Sequence, residues 1–216
     1  MNRKTKGDYA MLDIFKQIPL YRFLQYCQEE SRLPRTILDC GAGGSQPPLS
    51  LFRTYGYETN GVEFDPKQLE LANEYARHKA QLLHIQQGDM RHLDFASESM
   101  GFVYSYNSVF HMRKADVQQS VSEMKRILMP GGLMFVNFLT VNDSRCGQGR
   151  DLGKHEHEQF DDSVPVIHSY YEPGEPDLLF SDMEILYKED RVLERIYEGE
   201  KIRQGFVDYI VKKADA

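Results

Sequence analysis

A short apolar segment that runs directly into a glycine-rich turn constrains the fold of this chain more than any other feature. Residues 36–40, Thr-Ile-Leu-Asp-Cys, have the composition of a buried strand, and Gly41-Ala42-Gly43-Gly44 follows at once. Glycine permits positive φ and lets a ligand approach bare backbone. Pro47 and Pro48 suit the opening of a helix, whose start supplies unpaired N–H groups. The segment therefore predicts a strand–turn–helix unit that binds a nucleotide-like ligand.

Strands and helices continue to alternate up to about residue 140. The predicted strands are 36–40, 58–63, 82–86, 102–106 and 133–139. Helices are predicted after the two prolines, after Asp65-Pro66 as N-cap and first turn, and from about Asp116 to Pro130-Gly131. Three strand–helix–strand units of this kind predict an α/β, doubly wound, mostly parallel sheet.

The two ends of the chain and one internal segment depart from this alternation. Residues 1–32 predict an N-terminal helical cap, with two short helices interrupted at Pro19. The segment 142–177 is rich in glycine, proline and charge, which predicts a lid-like insert without continuous core elements. Two apolar-rich stretches, 183–196 and 201–212, flank Glu198-Gly199-Glu200 and predict an antiparallel hairpin. The main domain is accordingly expected over 33–216.

Composition limits the partners and the compartment. The 216 residues carry a net charge of −7, so the chain lacks the basic footprint expected of a protein that binds nucleic acid or anionic membrane. Its three cysteines have no paired spacing, which argues against disulfides and a zinc cage. The basic start is not followed by an apolar signal-peptide core. These features predict a cytoplasmic protein with a small-molecule partner; they do not predict its oligomeric state.

Two further carboxylates are predicted at the same sheet edge as the glycine turn. Glu63 ends the second strand, about 20 residues after Gly41, where an acid can accept hydrogen bonds from both ribose hydroxyls, and Phe64 is placed to lie against an adenine face. Asp89, in Gly88-Asp89-Met90, follows the third strand and is placed to accept a hydrogen bond from an adenine amino group. Gln46 stands where a dinucleotide-binding motif would have its last glycine, which disfavours a nicotinamide cofactor.

Taken in order, five segments resemble the class I S-adenosylmethionine-dependent methyltransferase family. They are Asp39–Ser45, Glu63, Gly88–Met90, Tyr104–His111 and Leu128–Gly132, and the likeness extends from about residue 33 to 212. Ser45 replaces a frequent third glycine, and Gly101 stands where many relatives have aspartate. The resemblance implies a seven-stranded Rossmann-like sheet with an antiparallel C-terminal hairpin, and S-adenosylmethionine as cofactor.

The resemblance also implies roles for single residues. Asp39 would organise the glycine turn and the methionyl ammonium, Glu63 would hold the ribose, and Asp89 and Met90 would hold the adenine. The backbone around Ser105 and Tyr106 would border the sulfonium. The implied cofactor-binding residues are Asp39, Gly41, Ala42, Gly43, Glu63, Phe64, Asp89, Met90, Ser105 and Tyr106.

The acceptor side is less determined by the sequence. His111 lies just past the fourth strand, where the transferred methyl should be, and is a candidate base; the alternative is a loop histidine held for packing. The run His155-Glu156-His157-Glu158 lacks a third ligand, so no metal site is expected. The leading prediction is in-line methyl transfer to a small molecule. The alternatives are an NAD(P)-dependent oxidoreductase and a non-catalytic S-adenosylmethionine-binding module.

Overall fold

The structure, a computed structural model, describes residues 15–161, 163–197 and 199–215. Most of the first predicted helix, before residue 15, lies outside this part of the chain. The strands, in chain order, are β1 (Thr36–Cys40), β2 (Glu58–Glu63), β3 (Ile85–Gln87), β4 (Met100–Ser105), β5 (Leu128–Thr140), β6 (Arg150–Gly153), β7 (Glu156–Asp161), β8 (Val164–Tyr171), β9 (Met183–Tyr197) and β10 (Glu200–Lys213).

The helices are α1 (Ile18–Glu29), α2 (Leu49–Thr54), α3 (Pro66–His78) and α4 (Lys114–Ile127), and a 3₁₀ helix spans Glu175–Phe180. The cap of α3 is as predicted, because Asp65 Oδ1 accepts a hydrogen bond of 2.7 Å from Lys67 N. Pro19, predicted to interrupt two helices, instead lies in the first turn of α1, where its missing N–H leaves no intrahelical bond unmade.

The sheet confirms the predicted fold: seven of its ten strands form the mostly parallel sheet with an antiparallel C-terminal hairpin, and β6–β8 join this sheet through β5. The order of these seven strands is β3-β2-β1-β4-β5-β10-β9, with the first five strands parallel. The terminal hairpin β9–β10 joins it antiparallel, with Phe206 opposite Leu139 of β5. Several boundaries differ from the prediction; β4, for example, spans Met100–Ser105 instead of 102–106. The strand predicted at 82–86 begins only at Ile85, because His84 before it has a positive φ of 53°. Strand β5 begins already at Leu128, with positive φ at Gly131 beside an irregular register.

The segment 142–177 is more regular than predicted. Its strands β6, β7 and β8 form an antiparallel sheet, and β8 continues alongside β5, with Tyr170 opposite Leu139. The apolar pattern of the sequence does not predict these strands, because several buried positions of β7 are polar. They are Glu156, His157 and Gln159. Gln159 Oε1, for example, accepts a hydrogen bond of 2.9 Å from the Tyr170 hydroxyl. A role of this segment as a lid stays a prediction.

Gly101, the departure from the family pattern at the start of β4, has a steric reason. A Cβ at this position would lie 2.3 Å from the carbonyl oxygen of Pro34, which is backbone and has little freedom to move. The Gly101 N–H also donates to Thr36 Oγ1, at 3.0 Å. An aspartate could not occupy this position without moving the chain before β1. Across the described residues, no helix combines the length and apolarity needed to cross a membrane.

Candidate functional site

The glycine turn, the end of β2 and the segment after β4 meet at the carboxyl edge of the sheet, as predicted. A Cβ added to Gly41 would lie 2.1 Å from Ser108 Oγ and 3.7 Å from the tip of Met90. A Cβ added to Gly43 would lie 2.5 Å from Glu63 Oε2. The predicted motif residues therefore form one continuous surface, and glycine is what allows the turn to fit against it.

The N–H groups of the glycine turn are all engaged in hydrogen bonds within the protein. Gly41 N and Ala42 N both donate to Val62 O, at 2.9 and 3.1 Å. Gly43 N donates to Glu63 Oε2 at 2.9 Å, and Gly44 N donates to the backbone oxygen of Gln68 at 3.0 Å. Helix α2 begins only at Leu49. These four N–H groups therefore all have partners within the protein. The prediction of unpaired donors concerned the start of α2, not these groups, and stays a prediction.

Asp39 is the most unusual group at this edge. It is 1% exposed, and its Oδ2 has no hydrogen-bond partner among the described residues. Burial raises the pKa of its carboxyl to about 8, and the charge of Glu63 acts in the same direction, while the neighbouring Tyr104 hydroxyl opposes them. The carboxyl is thus largely protonated at neutral pH, and a cationic ligand group beside it would restore its charge.

Glu63 links the glycine turn to the end of β2 through hydrogen bonds. Its Oε2 accepts from Gly43 N and its Oε1 accepts from Asp65 N, each at 2.9 Å. Each carboxylate oxygen keeps further acceptor capacity after these bonds. Next to it, the ring of Phe64 is 68% exposed and is therefore accessible to a ligand. Both observations suit the predicted ribose and adenine contacts, which stay predictions.

Asp89 is held in an ion pair, whereas Met90 is buried against the glycine turn. Asp89 forms a two-pronged ion pair with Arg91, whose guanidinium also lowers the pKa of the carboxyl. Met90 is buried, with its methyl group directed at Gly41. The structure therefore places Met90 under the turn and gives Asp89 a partner that the sequence analysis did not anticipate.

The segment after β4 is held by a pair of amides. Asn137 lies fully buried in the middle of β5; its Oδ1 accepts from Asn107 N at 2.8 Å, and its Nδ2 donates to Asn107 Oδ1 at 2.7 Å. Ser105 and Tyr106 precede Asn107 in the chain. Ser105 is buried and its Oγ has no hydrogen-bond partner among the described residues, and Tyr106 is half-buried. Sequence reasoning missed this pair, although one asparagine within the apolar strand 133–139 is a signal that could have found it.

A cavity of about 190 Å³ opens beside this segment, between β5, the hairpin β7–β8 and β10. Its lining combines an apolar floor with several charged or titratable groups: Asn107, Phe110, His111, Leu139, Asp143, Arg145, Asp161, His168, Tyr170, Gln204 and Phe206. His111 is the predicted member of this set. A wider depression of about 490 Å³, between residues 181–184 and 212–215, includes none of the predicted site residues.

Two histidines and one carboxylate converge on one side of this cavity. The rings of His111 and His168 meet edge to face, with centroids 4.7 Å apart, and His168 Nε2 lies 3.2 Å from Asp161 Oδ2. Arg145 contacts the other oxygen, Oδ1, at 2.8 Å. Desolvation lowers the pKa of both histidines, and His168 lowers that of His111 further. The pKa of His111, lowered to about 4, keeps its ring neutral at physiological pH.

The histidine-rich run 155–158 is not gathered at one point. His155 contacts Glu172 at 3.2 Å, whereas His157 Nε2 accepts a hydrogen bond from Gly147 N. Glu156 is buried and is paired with Arg113. Each side chain of this run that the structure places thus has its own structural partner.

Comparison with known proteins gives a consistent result. Residues 38–136 match a family model described as a methyltransferase domain. Sterol 24-C-methyltransferase of Debaryomyces hansenii is 30% identical over 159 residues, covering 71% of this chain and 41% of that protein. A probable tocopherol O-methyltransferase of Oryza sativa subsp. japonica is 30% identical over 112 residues, covering 50% of this chain and 30% of that protein. The chain thus spans less than half the length of these curated relatives.

The fold has solved counterparts over nearly its whole length. A crystal structure of an S-adenosylmethionine-dependent methyltransferase from Methanosarcina mazei superposes with a TM-score of 0.70 and covers 95% of this chain and 100% of that one. The identity is 21%, so the likeness concerns the fold. The glycine turn lies within the matched range 38–136, whereas Asp161 and His168 lie beyond it.

Proposed function

Because this chain belongs to the class I S-adenosylmethionine-dependent methyltransferase family, we propose that it transfers a methyl group from S-adenosylmethionine to a small-molecule acceptor. The observation that carries the proposal is Asp39, a buried carboxyl with an unpartnered oxygen beside a glycine turn. Such a group costs free energy unless a ligand satisfies it. The methionyl ammonium of the cofactor is a cation that would do so.

The other residues at this edge fit the remaining parts of the cofactor. Glu63 would accept hydrogen bonds from the ribose hydroxyls through the acceptor capacity left on its two oxygens. The exposed ring of Phe64 would cover one adenine face, with Asp89 and Met90 at the adenine edge. The unpartnered Ser105 Oγ and the half-buried Tyr106 would border the methionyl group. Gly41, Ala42 and Gly43 would allow close approach.

S-adenosylmethionine supplies an electrophilic methyl group on a sulfonium. The protein has to hold donor and acceptor in line and exclude water, because no covalent nucleophile is required. His111 lies on the acceptor side, in the cavity, and its neutral ring is able to accept a hydrogen bond or a proton from the acceptor. We propose this as its catalytic role.

The cavity favours a compact, polar acceptor. At about 190 Å³ it is smaller than the roughly 300–1,000 Å³ typical of drug-sized ligands. Arg145, Asp143 and Asp161 line it together with the two histidines, which suits polar groups. A sterol or a tocopherol, the acceptors in the names of two relatives, would fit only in part.

Methyl transfer is tested by incubating the purified chain with methyl-labelled S-adenosylmethionine and a fractionated cell extract. We expect S-adenosylhomocysteine to form and the label to enter the small-molecule fraction. Label only in RNA or protein would contradict the small-molecule acceptor. Calorimetry with S-adenosylmethionine, S-adenosylhomocysteine and reduced nicotinamide cofactor runs in parallel. Binding of the nicotinamide alone would contradict the cofactor assignment, and binding of the first two without turnover would indicate a non-catalytic module.

Replacing Glu63 with alanine should weaken S-adenosylhomocysteine binding by about 1–3 kcal/mol, roughly 5- to 150-fold, since hydrogen bonds to a charged group are lost. The change also releases Gly43 N, so part of the loss arises from the turn. Glu63→Gln is the matched variant, because it keeps the side-chain length and one acceptor oxygen; we expect an intermediate loss. Calorimetry measures all three proteins. Unchanged affinity in Glu63→Ala would show that the ribose assignment is mistaken.

A further inference from the structure

We propose that His111, Asp161 and His168 form a binding site for one divalent transition-metal ion in the cavity beside the cofactor edge. One ligand atom from each residue lies within 4.8 Å of the other two. Metal–ligand distances of about 2.0–2.2 Å place two ligands of the same ion no more than about 4.4 Å apart. Small side-chain movements would therefore close the three atoms around an ion.

The backbone holds the two histidines in place. Ser169 N, next to His168, donates to the carbonyl oxygen of Phe110, next to His111, at 3.0 Å. The Ser169 hydroxyl also donates to the Met112 carbonyl. These bonds join β8 to the segment after β4, on both sides of His111. The convergence of the two rings thus follows from the packing of secondary structure.

An ion pair with Arg145 fixes the orientation of the Asp161 carboxylate. Arg145 pairs with Oδ1 of Asp161, and Oδ2 is the oxygen that faces His168. Carboxylates that bind metals commonly have such an outer partner, which fixes their direction. The Arg145 backbone is itself held, because its carbonyl accepts a hydrogen bond of 2.7 Å from Gln159 Nε2.

The charge and the shape of the surroundings also suit a cation. Asp143 and Asp161 line the cavity against one arginine, Arg145, which leaves an excess negative charge before any ligand enters. His168 is 3% exposed, and Phe110, Leu139 and Phe206 provide an apolar wall. An ion here would be shielded from water on one side and open toward the cavity on the other.

The ligand set indicates the class of metal. Two imidazoles and one carboxylate suit zinc, manganese, iron or cobalt, whereas magnesium and calcium prefer oxygen ligands alone. Three protein ligands leave open positions. If the proposed function holds, an oxygen of the acceptor would occupy one of them, and the ion would lower the pKa of that oxygen; in the metal-bound protein this would replace proton acceptance by His111. The site itself does not depend on the methyltransferase assignment.

Metal binding is tested on the full chain without cofactor. The protein is freed of metal with a chelator and titrated with cobalt(II), followed by its visible absorption, and with zinc(II), followed by calorimetry. We expect one equivalent to bind. His111→Ala, which changes a residue at the cavity mouth, and Asp161→Asn should each weaken binding by at least about tenfold. Arg145→Ala should weaken it as well.

The matched control is His155→Ala, which removes an exposed histidine of the same insert that contacts Glu172. It should bind cobalt like the unmodified chain. No binding, binding unaffected by His111→Ala and Asp161→Asn, or binding lost in His155→Ala would each overturn the metal site. Because cofactor titration is a separate measurement, failure of the metal site and failure of the proposed function are distinguishable.

Discussion

Replacing Asp39 with asparagine should remove most of the pH dependence of S-adenosylmethionine binding and weaken that binding at pH 8. In the free protein the pKa of Asp39 lies at about 8, so the carboxyl must lose its proton when the ammonium binds beside it. The affinity of the unmodified chain should therefore rise about tenfold between pH 6 and 7. Calorimetry in two buffers of different ionisation enthalpy should count close to one proton released. If the affinity for S-adenosylmethionine rose equally steeply with pH in Asp39→Asn and in the unmodified chain, this role of Asp39 would be contradicted.

Ionisation of Asp39, which favours cofactor binding, lowers the stability of the cofactor-free protein. An unfolded Asp39 ionises near its ordinary pKa of about 3.9, whereas the folded one keeps its proton up to about pH 8. Between these values the folded state binds more protons, so this contribution to stability falls as pH rises. Asp39→Asn should accordingly have a higher Tm than the unmodified chain at pH 8, and the difference should disappear toward pH 4. Thermal unfolding at three pH values measures it.

Gly41→Ala should destabilise the protein by about 2–5 kcal/mol and impair cofactor binding. Its φ of 106° is strained for any residue with a Cβ, and the added atom would overlap Ser108 Oγ and Cβ, at 2.1 and 2.5 Å. Relief would require the segment after β4 to move. Denaturant unfolding gives the stability, and titration with S-adenosylhomocysteine gives the affinity.

Gly44→Ala separates backbone strain from steric overlap as causes of the destabilisation. Gly44 has a similar φ of 98°, but a Cβ there would meet no atom closer than 3.9 Å, from Gln68. The free energy of unfolding of Gly44→Ala should therefore fall only by the cost of backbone strain, about 1–3 kcal/mol. In a Ser108→Gly background the cost of Gly41→Ala should fall toward that of Gly44→Ala. Equal destabilisation by both substitutions in the unmodified background would show that contact with Ser108 is unimportant.

The part of the molecule that could be predicted from sequence is the part whose buried positions are apolar. The strands β1, β2 and the terminal hairpin, and the gathering of Gly43 and Glu63, follow from apolar runs, glycine placement and the parallel topology. The use of the turn's N–H groups could not be predicted, because it depends on where Val62 O and Gln68 O lie in space.

The cavity was beyond sequence reasoning for a different reason. Asp161 and His168 are 50 or more positions from His111 and come together only because β8 pairs with β5, in a segment whose buried residues are largely polar. The run 155–158, which attracted attention as a metal motif, is divided among separate partners. Spacing along the chain identifies ligands only when one element carries them.

The pairing of β8 with β5 joins the segment 142–169 to the sheet that carries the glycine turn. The glycine turn and Glu63 lie within residues 38–136, which match the family model, whereas one wall of the cavity comes from the strands β6–β8, which pair with β5 at Leu139–Tyr170 and Thr140–Tyr171. Exchanging residues 142–169 would therefore change one wall of the cavity while leaving the glycine turn and Glu63 in place.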